Sequence, residues 1–262
     1  MLSPSPLMNW QGFLEFLNER RPGIGEQIRG TPVGEIESLQ RRSPQPLPKN
    51  YLDFLRYFGS SAGEFPFFLE HRYLTQDLLE FPAEAVAWDP LRYLLIGILE
   101  SRDREDPFDL FLDLAKGNAV DAPLVGIDPD PEESNPPVIR LAHGLADRAI
   151  SQAAWRCALN DQPAKARLVA LCQSVPDGAA MLHRHRELVA IAERLGFAAC
   201  VSATPYTWLG RRERETFALI YAGVDDSLVI CELRGNDQAA IAQAREVIAD
   251  SSLAKPTQLI GD

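Results

Sequence analysis

Residues 47–59, LPKNYLDFLRYFG, have the pattern of an amphipathic helix. Pro48 suits the first helical turn because its φ angle is fixed near the helical value and it has no N–H to leave unpaired. Four apolar side chains follow at the spacing of one helical face: Tyr51, Phe54, Leu55 and Phe58. Gly59 is a favourable residue for ending the helix. The stretch therefore predicts a helix that packs one aromatic face against a core.

Two shorter helical patterns precede this stretch. In the first, Asn9 is a suitable N-cap, and four apolar residues repeat at i, i+3, i+4 and i+7: Trp10, Phe13, Leu14 and Leu17. In the second, Thr31 is predicted as the N-cap and Pro32 as the first helical residue. A short apolar stripe follows: Val33, Ile36 and Leu39.

Strand patterns follow the helices. Residues 93–99 form an apolar run typical of a buried strand, and residues 108–114 alternate with four apolar side chains on one face: Phe108, Leu110, Leu112 and Leu114. The same criteria predict three further elements: a strand at 119–125, a short strand at 138–141 and a helix at 145–159.

A second region begins near Asn160. Its patterns predict two helices, three strands and a capped final helix: helices at 164–172 and 181–195, strands at 197–202, 216–222 and 227–233, and a helix that Asn236 caps. The fold class is therefore α+β. We predict a first domain at 1–159 with a mixed sheet flanked by helices, and a smaller α+β domain at 160–262 with an antiparallel hairpin and a terminal helix.

The pattern formed by several of these residues resembles the sequence motif of the SUKH superfamily of Smi/Knr-like domains. The motif Leu-Pro-x-x-Tyr-x-x-Phe-Leu is present from Leu47 to Leu55, preceded by Gly34-Glu35-Ile36-Glu37 and followed by Gly59. The strand Leu94–Leu99 and the sequence Phe111-Leu112-Asp113-Leu114 fill the places of later family elements. The family's usual Gly-Asp turn is replaced by residues 101–107. The resemblance covers residues 10–158, and residues 160–262 resemble no family that we can name.

The resemblance implies a mixed α+β domain that binds proteins. The motif residues themselves are structural, so the motif marks a fold and no active site. Most bacterial members look like immunity proteins that block polymorphic toxins, often nucleases, of type VI or contact-dependent systems. The expected partner is therefore a cognate toxin or effector with a basic surface. An intracellular scaffold or regulator of the Smi/Knr type, without a toxin, is the alternative. A homodimer stays open as a further interaction.

The charge distribution agrees with a basic protein partner. The chain has 262 residues and a net charge of −11. Residues 64–133 contain 17 acidic and 5 basic residues, so the whole acidic excess lies in this segment. Such a segment repels nucleic acid and anionic lipid and attracts basic partners. A solvated acidic face that aids solubility is the simpler alternative.

The N-terminal residues lack the basic start and apolar run of a signal peptide, and the longest apolar stretch is too short to cross a bilayer. We therefore expect a cytoplasmic protein. The four cysteines are widely spaced, which is typical of buried thiols rather than of metal sites or disulfide scaffolds: Cys157, Cys172, Cys200 and Cys231.

We expect neither an enzyme nor a cofactor, because the sequence lacks the common catalytic and nucleotide-binding motifs. The acidic run after Arg102 lacks the glycine of a Ca²⁺ loop. His183 and His185 lie two residues apart, where helical side chains point in different directions. We therefore predict no metal site. An enzyme in the second region, with His183 or Cys200 in its site, remains the competing hypothesis.

Two acidic loops are the predicted contact surface. The first contains four carboxylates and an apolar anchor: Asp103, Glu105, Asp106, Asp109 and Phe108. The second follows the next strand: Asp128, Asp130, Glu132 and Glu133. Trp208, in an aromatic and arginine-rich stretch at 206–212, is a further candidate, because exposed aromatic residues beside arginines are enriched in interfaces. An ordinary structural role is the alternative for that stretch.

Overall fold

The protein is described by a computed structural model that covers residues 7–43, 45–65, 67–68, 71–81, 89–100, 108–128, 137–171, 178–201, 203–213, 216–251 and 255–256. The fold class is α+β, as the sequence predicts. No helix in these ranges combines the length and apolar character that a membrane span requires.

The helices, in chain order, are α1 (Trp10–Arg20), α2 (Ile24–Gln27), α3 (Val33–Arg42), α4 (Lys49–Phe58), α5 (Thr75–Glu80), α6 (Leu145–Ala153), which continues as a π-helix (Ala154–Leu159), α7 (Gly178–Arg194) and α8 (Gln238–Ser251). The strands are β1 (Ile28–Arg29), β2 (Ser61–Ala62), β3 (His71–Arg72), β4 (Tyr93–Leu99), β5 (Asp109–Asp113), β6 (Leu124–Ile127), β7 (Val138–Ala142), β8 (Ala164–Leu171), β9 (Ala198–Ala199), β10 (Thr207–Arg212), β11 (Thr216–Ala222), β12 (Leu228–Gly235) and β13 (Lys255–Pro256).

The chain forms two compact units. One contains Arg21–Arg148, and the other contains Met1–Arg20 together with Ala149–Asp262. The sequence placed the boundary at residue 159, whereas α1 shares a unit with the later part of the chain. Within that unit the Arg20 Nε donates a hydrogen bond to the Cys157 carbonyl (2.9 Å), and its guanidinium lies 5.0 Å from the Phe217 ring centroid. These contacts between distant parts of the chain explain the difference.

The unit Arg21–Arg148 contains a five-stranded sheet in the order β3-β4-β5-β6-β7. Every described pairing in it is antiparallel, whereas the sequence interpretation expected a mixed sheet. The chain order of the strands is also their order in the sheet. Consecutive antiparallel strands need only a hairpin connection, whereas a parallel pair needs a long crossover.

Helix α4 forms where the pattern of residues 47–59 predicts a helix. Pro48 occupies the N-cap position, and the predicted apolar face is buried. Phe54 contacts Phe67 edge to face, with ring centroids 4.9 Å apart. Gly59 is the C-cap of the helix, and a Cβ atom at this position would lie 2.1 Å from the Thr31 Oγ1. Glycine is therefore required at this position by the close approach of a neighbouring side chain.

Helix α3 begins one residue later than predicted, with Pro32 as its N-cap. The Thr31 hydroxyl does not cap it and lies 2.6 Å from the Thr75 hydroxyl, with both groups buried. Val33, expected in the apolar stripe, is 72 % exposed, whereas Ile36 is buried. The prediction of the helix is thus confirmed, and the prediction of its cap and first apolar contact is wrong.

A buried carboxylate joins three parts of this unit. Asp121 accepts hydrogen bonds from the Asn50 amide (2.9 Å) and from the backbone N–H groups of Ala122 (2.9 Å), Leu145 (3.1 Å) and Ala146 (3.4 Å). Burial raises the pKa of Asp121, and these hydrogen bonds act in the opposite direction. The carboxylate satisfies the free N–H groups at the start of α6, as an N-cap does. We call these five residues the Asp121 cluster.

The other unit contains a sheet in the order β13-β8-β12-β11-β10-β9, with the described pairings antiparallel. The predicted helix at 164–172 is wrong, because this segment forms β8. Its buried residues alternate: Ala164, Ala166, Leu168 and Ala170. Alanine favours helices in isolation, but here a period of two places these side chains on the covered face of a sheet.

Helix α7, the hairpin and the final helix of this unit are confirmed with shifted details, whereas the strand predicted at 197–202 is present in the described residues only as β9. Helix α7 ends before Gly196, which has φ +88° and closes the helix as a left-handed residue. The hairpin of β11 and β12 is present. Asp237, not Asn236, caps α8, since its Oδ1 accepts the backbone N–H groups of Ala239 (2.9 Å) and Ala240 (3.1 Å).

Candidate functional site

The two acidic loops attach to the same end of the five-stranded sheet. β4 ends at Leu99 and β5 begins at Asp109, while β6 ends at Ile127 and β7 begins at Val138. Because these strands are antiparallel neighbours, the connections 100–108 and 128–137 both leave the sheet at one end. We call this end, with both connections, the acidic end.

The register locates the attachment points. Asp109 pairs with Ile127, and Ile127 also pairs with Val138. Phe108, Asp128 and Pro137 are therefore the next residues beyond these pairs on three adjacent strands. The two connections consequently start and finish on neighbouring strands, and the chain brings together two segments that lie about 20 residues apart in the sequence.

Asp109 does not belong to an exposed contact surface. Its side chain points into the structure, the residue is only 1 % exposed, and Oδ1 accepts the Leu99 backbone N–H at 2.8 Å. The prediction of Asp109 as a contact residue is therefore wrong. The Asp109 carboxylate satisfies the buried backbone N–H of Leu99. This hydrogen bond links the two strand ends between which the first acidic connection runs.

Phe108 lies at the same base and is half-buried. Its carbonyl oxygen is 2.9 Å from the His71 Nε2, and the two rings have centroids 5.8 Å apart. A Cβ atom on Gly126 would lie 2.7 Å from the Phe108 ring, so the missing side chain at Gly126 allows this ring to lie against β6. The aromatic ring is thus held by the sheet, and its role as an apolar anchor stays a prediction.

The charges at the acidic end come mainly from the connections. Among the described residues, Glu100 is exposed and Asp128 is half-buried, while Arg72 on β3 is an exposed cation near the same end. Six further predicted contact residues lie outside the described residues: Asp103, Glu105, Asp106, Asp130, Glu132 and Glu133. Residues 128–137 contain four acidic residues and no basic one.

Trp208 is the other predicted contact residue that the structure contradicts. It is 2 % exposed and belongs to the core between the six-stranded sheet and its helices. A Cβ atom on Gly210 would lie 2.0 Å from the Trp208 ring, so the indole occupies the space beside that glycine. The stretch 206–212 therefore has an ordinary structural role, because Thr207–Arg212 forms β10.

No protein-family model, curated protein or solved structure matches the chain. The SUKH resemblance thus depends on the residues quoted above and remains a prediction.

Cys200, one residue of the competing enzyme hypothesis, lacks the surroundings of an activated nucleophile, and His183, the other, is exposed. Burial raises the pKa of the Cys200 thiol to about 11, so it is protonated at neutral pH, whereas a nucleophilic cysteine needs a lowered pKa. The His185 Nε2 lies 3.2 Å from the Ile220 carbonyl in the core, while His183 is exposed. Over the described ranges, no three His, Cys, Asp or Glu side chains are grouped closely enough to hold a metal ion.

One feature of this end was not found from the sequence. Val138 and Ile139, the first residues of β7, are 46 % and 47 % exposed. The sequence predicted this segment as a short strand and assigned it no role. Two adjacent β-branched residues without a polar residue between them were the available signal, because alternate strand residues normally divide between a covered and a solvated face.

Proposed function

We propose that this chain is an immunity-type protein that binds and neutralises a bacterial toxin, a nuclease of a type VI or contact-dependent system. The supporting observation is that two separate acidic connections attach to one end of the same sheet. Two loops that share an attachment edge form a single contact surface more readily than two loops at opposite ends. The SUKH resemblance, read from residues 10–158, supports the same proposal.

The physical argument is electrostatic complementarity. A nuclease needs a positively charged groove to hold phosphate, and an acidic surface can occupy that groove and exclude the substrate. Charge complementarity of this kind steers association and can raise its rate constant by a factor of about 10 to 1,000 at low salt. The mechanism of neutralisation is therefore occlusion, and it requires no chemical step by this chain.

The test is co-purification with the product of the neighbouring gene, together with a growth assay in cells that express that product with and without this chain. We expect a stable complex and restored growth. Neutralisation of the second connection by Asp130→Asn, Glu132→Gln and Glu133→Gln should weaken both.

A control variant changes the net charge equally on other elements, through three exposed residues: Glu26→Gln, Glu37→Gln and Glu64→Gln. It should bind and protect as the unaltered chain does. A neighbouring gene product that neither binds nor is neutralised would contradict the proposal. Recovery of a housekeeping complex instead would favour the scaffold or regulator.

A further inference from the structure

Strand β7 is an edge of the five-stranded sheet. In the strand order it lies next to β6 alone, and its described strand pairings are all with β6. The outer side of an edge strand presents backbone N–H and C=O groups that can pair with another strand. Proteins normally protect such an edge with a lysine, a proline, a bulge or a covering element.

The protection of β7 is uneven along its length. The register with β6 shifts between Leu124 and Val125, which lie opposite Ala142 and Arg140. This irregularity lies in the second half of the strand. The first half, Val138 and Ile139, keeps a regular register with β6, and both side chains are about half exposed. The regular, apolar part of the edge is therefore the part that adjoins the acidic end.

We infer that β7 accepts an extended strand of the partner protein, which adds to the sheet as a sixth strand beside Val138 and Ile139. This inference depends on the proposed function and specifies how the partner binds. Main-chain hydrogen bonds would supply affinity, and the two exposed side chains would contact two consecutive residues of the incoming strand, one on each face of the sheet. The incoming strand needs β-branched or aromatic residues opposite this pair.

Charge selects the partner over a second copy of this chain. The connection that leads into β7 has four acidic residues and no basic one, so an incoming strand continued by Lys or Arg meets opposite charge there. A second copy, paired antiparallel about the centre of the strand, would place Arg140 directly opposite its own counterpart. Like charges in directly opposed positions destabilise a strand pair.

The experiment is hydrogen exchange on the full chain, alone and with the product of the neighbouring gene. In the complex, we expect the backbone amides of Val138–Ala142 that point away from β6 to exchange at least about tenfold more slowly, since an added strand buries and bonds these outer amides. Ile139→Lys places a charge on the edge, as natural edge strands do, and should weaken the complex at least about tenfold.

Val33→Lys is the matched control. Val33, like Ile139, is an exposed β-branched residue of the same unit, but it lies on helix α3 and not on the sheet edge. It should leave the affinity within about twofold of the original value, a difference of less than about 0.4 kcal/mol by the affinity relation. Circular dichroism of both variants checks that they fold.

The outcomes separate the two proposals. A complex that forms without protection of Val138–Ala142, and that tolerates Ile139→Lys, would overturn the docking strand and leave the proposed function standing. A neighbouring gene product that does not bind at all would overturn both. Protection that increases with concentration in the chain alone would show that a second copy pairs with β7, and would overturn the assignment to a partner.

Discussion

Removal of the Asp121 carboxylate should be among the most damaging single changes to the unit Arg21–Arg148. Asp121→Ala leaves four buried donors without their acceptor: the Asn50 amide and the N–H groups of Ala122, Leu145 and Ala146. An unsatisfied buried donor costs about 1 to 3 kcal/mol, and the loss is partly offset because a carboxylate is no longer buried. We expect the free energy of unfolding of this unit to fall by about 3 to 5 kcal/mol.

The assay is native-state hydrogen exchange of the Leu145 and Ala146 amides, combined with calorimetric unfolding. Both amides should lose protection in the variant, because their acceptor is gone. Asp53→Ala is the control: Asp53 is paired with the exposed Arg56 on the surface of α4, and its loss should cost about 0.5 kcal/mol or less.

A loss of less than about 1 kcal/mol on Asp121→Ala, similar to that of the control, would refute the reasoning, because a buried acceptor for four donors cannot be removed at so small a cost. Unchanged exchange at Leu145 and Ala146 would show in addition that the carboxylate does not cap α6.

Three further predictions test other parts of the structure. Gly59→Ala should lower the free energy of unfolding, measured in urea, by about 2 to 3 kcal/mol, because the new Cβ atom would meet the Thr31 hydroxyl. Its control is Gly34→Ala: Gly34 is exposed and has open space around it, so this change should stabilise the protein by up to about 1 kcal/mol. Equal effects of the two changes would contradict the packing described. With its pKa raised to about 11, Cys200 should alkylate at pH 8 about 100-fold more slowly than an unfolded thiol, and the rate should rise with pH up to about 11; a pH-independent rate would contradict this. Trp208→Ala should cost about 3 to 5 kcal/mol as a core deletion, and a loss below about 1 kcal/mol would contradict its burial.

The helices were the most predictable part of the fold because their signal is local. In α4, four apolar residues within eight positions define a face, and the structure buries that face. β8 shows the limit of this reasoning. Its alanines are compatible with a helix by propensity, and only the strands on either side of it, β12 and β13, favour the extended form.

The sequence predicted which segments form the candidate site, but not which of their side chains are exposed. Charge counts identify the acidic connections directly. They do not reveal which carboxylates turn inward, and Asp109 does so to satisfy the Leu99 backbone. The contact of Asn50 with Asp121 spans 71 residues, so neither residue carries a local sign of the other. Long-range polar pairs of this kind become visible only once the chain has folded.

The edge of the sheet was missed for a similar reason. The residues Val138 and Ile139 predict a strand equally well in the middle or at the edge of a sheet. Their exposure follows from the strand order, which local sequence does not determine. The same apolar pair would be buried if its strand lay in the middle of a sheet, and it is partly exposed because the strand lies at the edge.

The central claim is that the acidic end meets a basic partner, and the most direct test is the association rate constant for the product of the neighbouring gene, measured by stopped flow at low and high salt. For the unaltered chain we predict fast association that slows steeply as salt is added. For Asp130→Asn, Glu132→Gln and Glu133→Gln together, we predict association about tenfold slower at low salt, with a weaker salt dependence. An association rate constant and salt dependence that this variant leaves unchanged would contradict the claim.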